Sequence, residues 1–401
     1  MPPNQSRTKP KILLLSGYDA ASHRHWRNIL EKNLTGYHWT QIALPDRHFY
    51  WRVRGNSLSF AFEHRDILNQ NYDCLIVTSM VDLSTLRGLV PKLANLPTLV
   101  YVHENQFAYP ASTKGAENSN LIHAQLTSIY TLLCGDSILF NSEYNKQTFF
   151  DGANKLLNKM PDLVPKDLLS NSLKESIVLP VPIENVFYFH SQSNLVTTKR
   201  ANEKIQILWN HRWEFDKQPE VFFDALRKLK RESMGFKLNI IGQSFRKSPK
   251  CFKLAKIEFE KEIVNWGFKE RSDYLAILRQ SDIVVSASLH DFQGLSMLEA
   301  IASGCLPIAP DRVAYPEYIN KQQLYSVGSF KEVGNQSCHH EVASLSLKLM
   351  EAINALTGES NFEKDAIAQE KCDRQVANKM NRYNETYLTS VYREEIEKLL
   401  S

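Results

Sequence analysis

Two carboxylates eight residues apart, Asp291 and Glu299, bracket a glycine in His290-Asp291-Phe292-Gln293-Gly294-Leu295-Ser296-Met297-Leu298-Glu299-Ala300. The apolar run Asp282–Ala287 leads straight into it, and helical spacing follows it. Gly294 lets a ligand approach the backbone closely. The amides of Leu295 and Ser296 would open a helix, whose positive end favours an anion. Glu299, one turn further in, can accept hydrogen bonds from a vicinal diol such as a ribose. A second cluster, Trp209-Asn210-His211-Arg212-Trp213-Glu214-Phe215-Asp216-Lys217, follows the run Ile205–Trp209. Arg212 as a bidentate fork and Lys217 as a point charge can together neutralise a diphosphate. Taken alone, either cluster also fits an ordinary junction with solvated charges. Two strand ends offering anion-compatible groups favour one shared site. A third cluster, His103-Glu104-Asn105-Gln106, follows the run Thr98–Val102. His103 could donate to a ligand hydroxyl or to developing negative charge, with Glu104 and Asn105 fixing its orientation.

These clusters need strands that end where they begin. Short β-type runs alternate with helical periodicity along the chain. In the first half they are Lys11–Leu15, Thr40–Leu44, Asp73–Thr78, Thr98–Val102, Ser137–Phe140 and Ser176–Leu179, with helices such as Leu121–Cys134 and Glu143–Leu157 between them. In the second half they are Ile205–Trp209, Lys237–Ile241, Asp282–Ala287 and Cys305–Ile308, with helices over Pro219–Glu232, Pro249–Asn265, Asp273–Gln280, Leu295–Ser303 and Glu341–Leu356. Mostly apolar strands spaced by helices predict parallel sheets covered on both faces. The polar stretch Ser191–Lys204 reads as a linker. The expectation is an α/β chain of two doubly wound domains, 1–190 and 204–370, facing each other across a cleft, with a docking helix in 371–401. Ligands in such sheets bind beyond the carboxyl ends of the strands.

The 401 residues allow two or three domains. Apolar residues at 43% and charged residues at 23% describe an ordinary globular protein, not a disordered or collagen-like one. No apolar run approaches the roughly 18 residues of a membrane helix, and the polar start Met1–Arg7 has no signal-peptide core. Six cysteines without a Cys-x-x-Cys spacing predict reduced thiols in a cytoplasmic protein. The net charge of +4 is small, but between Ser22 and Arg65 seven Lys/Arg and five His face three acids.

An acid, seven residues and then Glu, with an upstream Arg-x4-Lys, resembles the donor site of retaining GT-B glycosyltransferases of the family 4-like type. The resemblance implies that Arg212 and Lys217 hold a nucleotide diphosphate, Glu299 the ribose, and Asp291 the transferred sugar. Asp291 stands where that family usually has Glu. Gly242 matches the family's glycine near the nucleotide, and Gly267-Phe268 the loop at the base. A narrower group shares more strings: Ser22-His23, Trp51-Arg52-x-Arg54, His103-Glu104-Asn105-Gln106-x-x-Tyr109-Pro110, Phe140-Asn141-Ser142, His211-Arg212-Trp213-Glu214-x-Asp216-Lys217 and Met297-Leu298-Glu299-Ala300. In order and spacing these are similar to the tRNA-queuosine α-mannosyltransferases over most of residues 11–320.

That resemblance implies transfer of mannose from GDP-mannose to queuosine in a tRNA anticodon, tRNA-Asp in particular, with retention. It places Ser22, His23, Arg24, Trp51, Arg52, Arg54, Asn105, Gln106 and Tyr109 on the acceptor side and makes His103, Glu104 and Asp291 the catalytic candidates. Cations interleaved with aromatics from Asp46 to Arg54 suit unstacked bases and their phosphates. The expected partners are a queuosine-containing tRNA and a nucleotide sugar, with no membrane. No Asp-x-Asp string occurs, so the expectation is no metal and no cofactor. Two alternatives stay open: a GT-B enzyme for a lipid or polysaccharide acceptor, and a non-catalytic RNA-binding relative.

Overall fold

In a computed structural model, residues 9–108, 118–164, 166–188, 204–245, 248–328, 335–357 and 379–401 are described. The chain divides into two compact units. The first is Met1–Pro182 with Glu385–Ser401, and the second is Ile183–Asn384.

The first unit holds six parallel strands, β1 (Lys11–Ser16), β2 (His38–Ala43), β3 (Cys74–Thr78), β4 (Thr98–Val102), β5 (Ser137–Phe140) and β6 (Ile177–Val178), in the order β2-β1-β3-β4-β5-β6. Its helices are α1 (Ala21–Asn33), α2 (Phe49–Glu63), α3 (Arg65–Leu68), α4 (Leu83–Leu89), α5 (Asn118–Leu133), α6 (Glu143–Leu157) and α7 (Lys166–Glu175). Residues in β1 after Lys11, and all of β3 and β4, are buried on both faces, which is why their sequences read as nearly continuous apolar runs. The strand order reverses between β1 and β3, so a crevice opens beyond their carboxyl ends.

The second unit repeats the plan with β7 (Ile205–Trp209), β8 (Phe236–Ile241), β9 (Ile263–Gly267), β10 (Ile283–Val285), β11 (Leu306–Pro310) and β12 (Leu324–Tyr325), ordered β12-β11-β10-β7-β8-β9 and all parallel. Its helices are α8 (Pro219–Arg231), α9 (Cys251–Glu258), α10 (Arg271–Gln280), α11 (Leu295–Ala302) and α12 (Asn335–Thr357). Here the order reverses between β7 and β10. An aromatic core of Trp209, Phe222, Phe223, Phe252 and Phe259 fills the space under α8 and α9.

Two sequence expectations differ from the structure, and one stretch without an expected element gains one. The periodicity over Pro249–Asn265 conceals two elements: α9 stops at Glu258, and residues 263–267 pair with β8 as an edge strand. The aromatic and cationic stretch from Phe49, which the sequence pattern placed in no element, is helix α2. Its inward face carries Asn56 and Ser57, which hides the apolar period. Asn56 Nδ2 donates to the Met80 carbonyl at 2.9 Å, and Ser57 Oγ to that of Asp82 at 2.7 Å. The units also part at Pro182, before the polar run, because Phe187 is buried in the second unit, where its carbonyl accepts from Ser303. Residues 191–203 of the expected linker lie outside the described residues.

The chain's last helix, Glu385–Leu400, completes the first unit. Trp26 stacks on Tyr101 at 4.3 Å, and Tyr392 packs edge-on to Trp26 at 6.3 Å. The Tyr392 hydroxyl donates to the Pro180 carbonyl at 3.0 Å, and Asn33 Nδ2 donates to Glu385 at 2.6 Å. Cys74, Cys134, Cys251 and Cys305 are free thiols, as expected. Among the described residues no helix is long and apolar enough to cross a membrane. Ile396, five residues from the end, is fully buried. Ile396→Ala is expected to cost about 2–5 kcal/mol, read as a lowered midpoint in urea titration.

Candidate active site

In the second unit the predicted donor residues come together at the carboxyl ends of three neighbouring strands, β10, β7 and β8. The loop after β7 brings Arg212 and Lys217, the turn after β8 brings Gly242, and the loop after β10 brings Asp291 and Gly294 at the start of α11. Gly242 has φ +147°, and a Cβ there would sit 2.0 Å from the His211 carbonyl oxygen. Only glycine therefore lets the β7 and β8 loops touch. Gly294 has φ +76° and caps α11. The amides of Leu295, Ser296 and Met297 precede the first intrahelical donor, the Leu298 N–H that bonds the Gly294 carbonyl, and so remain donors for a ligand. Asn210 Nδ2 donates to the Ser296 carbonyl at 2.8 Å and pins this turn to β7.

Lys217 differs from the open cation that the spacing suggested. It is buried, with Nζ donating to the His290 carbonyl at 2.6 Å and lying 3.3 Å from Asp291 and 3.4 Å from Asp216. It ties the β7 loop to the β10 loop. Arg212 is the exposed member of the pair, 3.1 Å from Glu214. Asp291 also accepts from the Tyr315 hydroxyl at 2.6 Å. Burial works against its charge, but Lys217, His211 and the Tyr315 hydrogen bond outweigh it and hold the carboxyl below its usual range.

Glu299 lies on α11 and accepts from the Tyr274 hydroxyl at 2.7 Å. Burial pushes its carboxyl up to about 7, against the hydrogen bond from Tyr274 and the charge of Arg271. Burial also lowers His211 to about 4, so its imidazole is neutral near pH 7. Its Nε2 then donates to the Val285 carbonyl at 3.2 Å, and Nδ1 accepts from the Ser296 hydroxyl at 3.3 Å. Phe268 is exposed beyond β9, next to Gly267 with its φ of +84°. Tyr274 and Tyr315 escaped the sequence analysis because nothing in their local sequence marks them. They reach the two carboxylates from α10 and from the turn after β11.

In the first unit, His103 stands at the carboxyl end of β4. It stacks on His23 of α1, with centroids 3.9 Å apart and planes 16° apart, and is boxed edge-on by Trp26 and Tyr101. Burial, then the nearby His23 and His25, keep its pKa well below the usual value. Burial likewise lowers His23 to about 4, despite Asp19. Both rings are neutral near pH 7, and neither His103 nitrogen has a hydrogen-bond partner among the described residues. A ligand hydroxyl or a water would satisfy them.

Other acceptor-side candidates divide. Asn105, expected to contact the acceptor, is engaged by α6 and by its own loop. Its Nδ2 donates to Asn145 Oδ1 at 2.8 Å and to Thr148 at 3.0 Å, and its Oδ1 accepts from the amides of Phe107 and Ala108. It positions the turn that carries Glu104 and Gln106. The Glu104 carbonyl accepts from Ser79 at 3.3 Å, and Gln106 is buried. Arg24 is held by Asp19 at 3.1 Å, together with Arg27 at 2.9 Å. Ser22 is partly buried beside His23. Trp51 is 56% exposed, and its ring lies over Gly55, where a Cβ would come within 2.7 Å. Arg54 is exposed and Arg52 partly buried. The Phe49 ring meets Tyr18 at 5.6 Å, which brings the start of α2 to the loop after β1. Tyr109 lies outside the described residues. Among the described residues no group of three or more His, Cys, Asp or Glu is placed to hold a metal ion.

The family described as tRNA-queuosine alpha-mannosyltransferase N-terminal matches residues 11–183, and that described as glycosyl transferases group 1 matches residues 193–348. A protein of Drosophila melanogaster, tRNA-queuosine alpha-mannosyltransferase, is 34% identical over 329 residues, covering 81% of this chain and 85% of that protein. The chain belongs to the tRNA-queuosine alpha-mannosyltransferase family. Its fold is GT-B. A glycosyltransferase from Rickettsia africae superposes with a TM-score of 0.65 at 16% identity, covering 98% of this chain and 99% of that one. Sucrose-phosphate synthase from Thermosynechococcus elongatus gives 0.66 at 12% identity, covering 97% and 99%.

For this member of the family the Glu299 carboxyl sets a pH dependence. Its pKa of about 7 exceeds the unperturbed 4.5, so the folded chain binds that proton more tightly than the unfolded chain. The stability linked to it is whole below about pH 4.5 and is lost as pH rises through about 7. Glu299→Gln removes the buried charge. The variant is therefore expected to be more stable than the wild type at about pH 8, with the gap closing toward pH 4.5, as measured by urea unfolding at both pH values. A Cβ at Gly294 would meet the Tyr318 hydroxyl at 2.6 Å and the Tyr315 ring at 3.1 Å. Gly294→Ala is expected to cost about 1–3 kcal/mol of stability, read as a lowered midpoint in urea unfolding, since it strains a left-handed position and displaces both α11's first turn and the tyrosine that holds Asp291.

Proposed function

We propose that the protein transfers mannose from GDP-mannose to a hydroxyl on the cyclopentene ring of queuosine in the anticodon of tRNA, tRNA-Asp in particular, with retention at the anomeric carbon. What carries this reading is the Drosophila relative bearing that name, alike over most of both chains. The donor residues support it. Arg212, Lys217 and the opening amides of α11 are cations and donors that suit a departing diphosphate, and Glu299 suits a ribose diol.

In the reaction the bond between the anomeric carbon and the diphosphate oxygen breaks, and GDP leaves with the electron pair. The acceptor oxygen attacks the same face of the oxocarbenium-like centre, and its proton passes to the departing phosphate oxygen. The protein's part is to hold both substrates in register and to stabilise the charge that forms on GDP. Asp291, ionised and fixed by Lys217 and Tyr315, is the group assigned to the sugar. The neutral His103, backed by His23, is assigned to the acceptor hydroxyl. In this reading Trp51, Arg52 and Arg54 meet anticodon bases and phosphates.

The test is nucleoside mass spectrometry after incubation with GDP-mannose and queuosine-containing tRNA. Mannosyl-queuosine is the expected product, and its absence with every such tRNA refutes the reading. Arg212→Ala should weaken GDP binding by about 1.5–3 kcal/mol in calorimetry. Unchanged binding would remove Arg212 from the diphosphate.

A further inference from the structure

We propose that α9 of the second unit is a phosphate-binding rail for the RNA acceptor, with Lys250, Lys253 and Lys256 as its contacts. The proposal rests on reading the acceptor as an RNA, and adds that RNA contact is not confined to the first unit.

Helix α9 buries Phe252 and Ala255 and turns its other face to solvent. That face carries Lys250, Lys253 and Lys256, all exposed, with Leu254 and Ile257 at 62% and 78% exposure. Lysines three residues apart advance about 4.5 Å along a helix, a spacing that lets successive ammoniums meet successive phosphates of one strand. Among the described residues none of the three ammoniums has a side-chain partner. Two nearby acids are already neutralised from α8: Glu258 lies 2.8 Å from Arg227, and Glu262 lies 3.3 Å from Lys230. Glu220 lies against Cys251 at the head of the helix and Glu260 beyond its end, but the three ammoniums are unpaired on one outward face, which is the footprint of a polyanion.

The rail begins at the donor end of its sheet. The loop leading into α9 leaves the carboxyl end of β8, the strand that also delivers Gly242. Phe245 in that loop and Phe268 beyond β9 are both exposed, at 39% and 66%, and offer faces to unstacked bases. Three ammoniums are interleaved with only two aliphatic side chains on the helix. Membrane-surface helices instead present a separate, broad apolar face, so charge dominates this one.

The test uses the full chain and a fluorescent queuosine-containing tRNA, with anisotropy titrations from 50 to 200 mM salt. The triple variant Lys250→Ala, Lys253→Ala, Lys256→Ala changes exposed side chains only and should leave the GDP-induced thermal shift intact. It is expected to bind tRNA roughly tenfold more weakly at 100 mM salt, with the log–log salt slope reduced by about 2, because each lost phosphate contact removes about 0.7–0.9. Wild-type affinity and slope in the variant would overturn the rail. So would loss of binding to phosphatidylserine vesicles with tRNA binding retained, since that result makes the face a lipid surface. If the wild type itself binds no queuosine-containing tRNA, the RNA reading fails as well, whereas a variant that binds like a tRNA-competent wild type sinks the rail alone.

Discussion

The buried ammonium of Lys217 holds the second unit's candidate site together. Removing such a charge from water costs several kcal/mol unless partners replace the water. Here the partners are the His290 carbonyl and the carboxylates of Asp216 and Asp291, drawn from the loops that follow two adjacent strands. The need to compensate the charge therefore fixes the β7 loop against the β10 loop. Asp291 is ionised because Lys217 is there, and the turn at Gly294 begins three residues later. Tyr315 and Gly242 close the same arrangement from the ends of β11 and β8, and Asn210 closes it from the end of β7 itself.

Across from this pairing Glu299 shows the opposite electrostatics. Its hydroxyl partner Tyr274 and the charge of Arg271 do not offset burial. Its proton affinity is raised while that of Asp291 is lowered, with one helical turn and a glycine between them. Two carboxylates in different environments can take different roles at one pH. An ionised Asp291 suits a site where positive charge grows, and a carboxyl poised near 7 suits a contact that forms with the ligand. The first unit solves a related problem without charge. Burial keeps His23 and His103 neutral, so the stack offers hydrogen-bonding nitrogens and no cationic field.

Most strands and the three clusters were legible because apolar runs buried on both faces, and polar strings at strand ends, are local signals. Thr98–Val102, Ser137–Phe140 and Ile205–Trp209 fall where the sequence placed them. Helix α2 was not legible, since its inward Asn56 and Ser57 are satisfied by the backbone of residues 80–82, which no window of sequence contains. The edge strand β9 was read as helix because its pairing with β8 is invisible before folding.

The sequence by itself determined the alternating α/β plan, the cations at 212 and 217, the acids at 291 and 299 and the histidine at 103, for these are statements of residue type and spacing. Tertiary structure decided what each one is. It buried Lys217 and left Arg212 exposed, engaged Asn105 with α6, supplied Tyr274 and Tyr315 to the two carboxylates, and sent the last helix to cover Trp26. A side chain's charge state and free hydrogen-bonding capacity depend on which distant groups exclude water from it, and spacing along a chain does not carry that information.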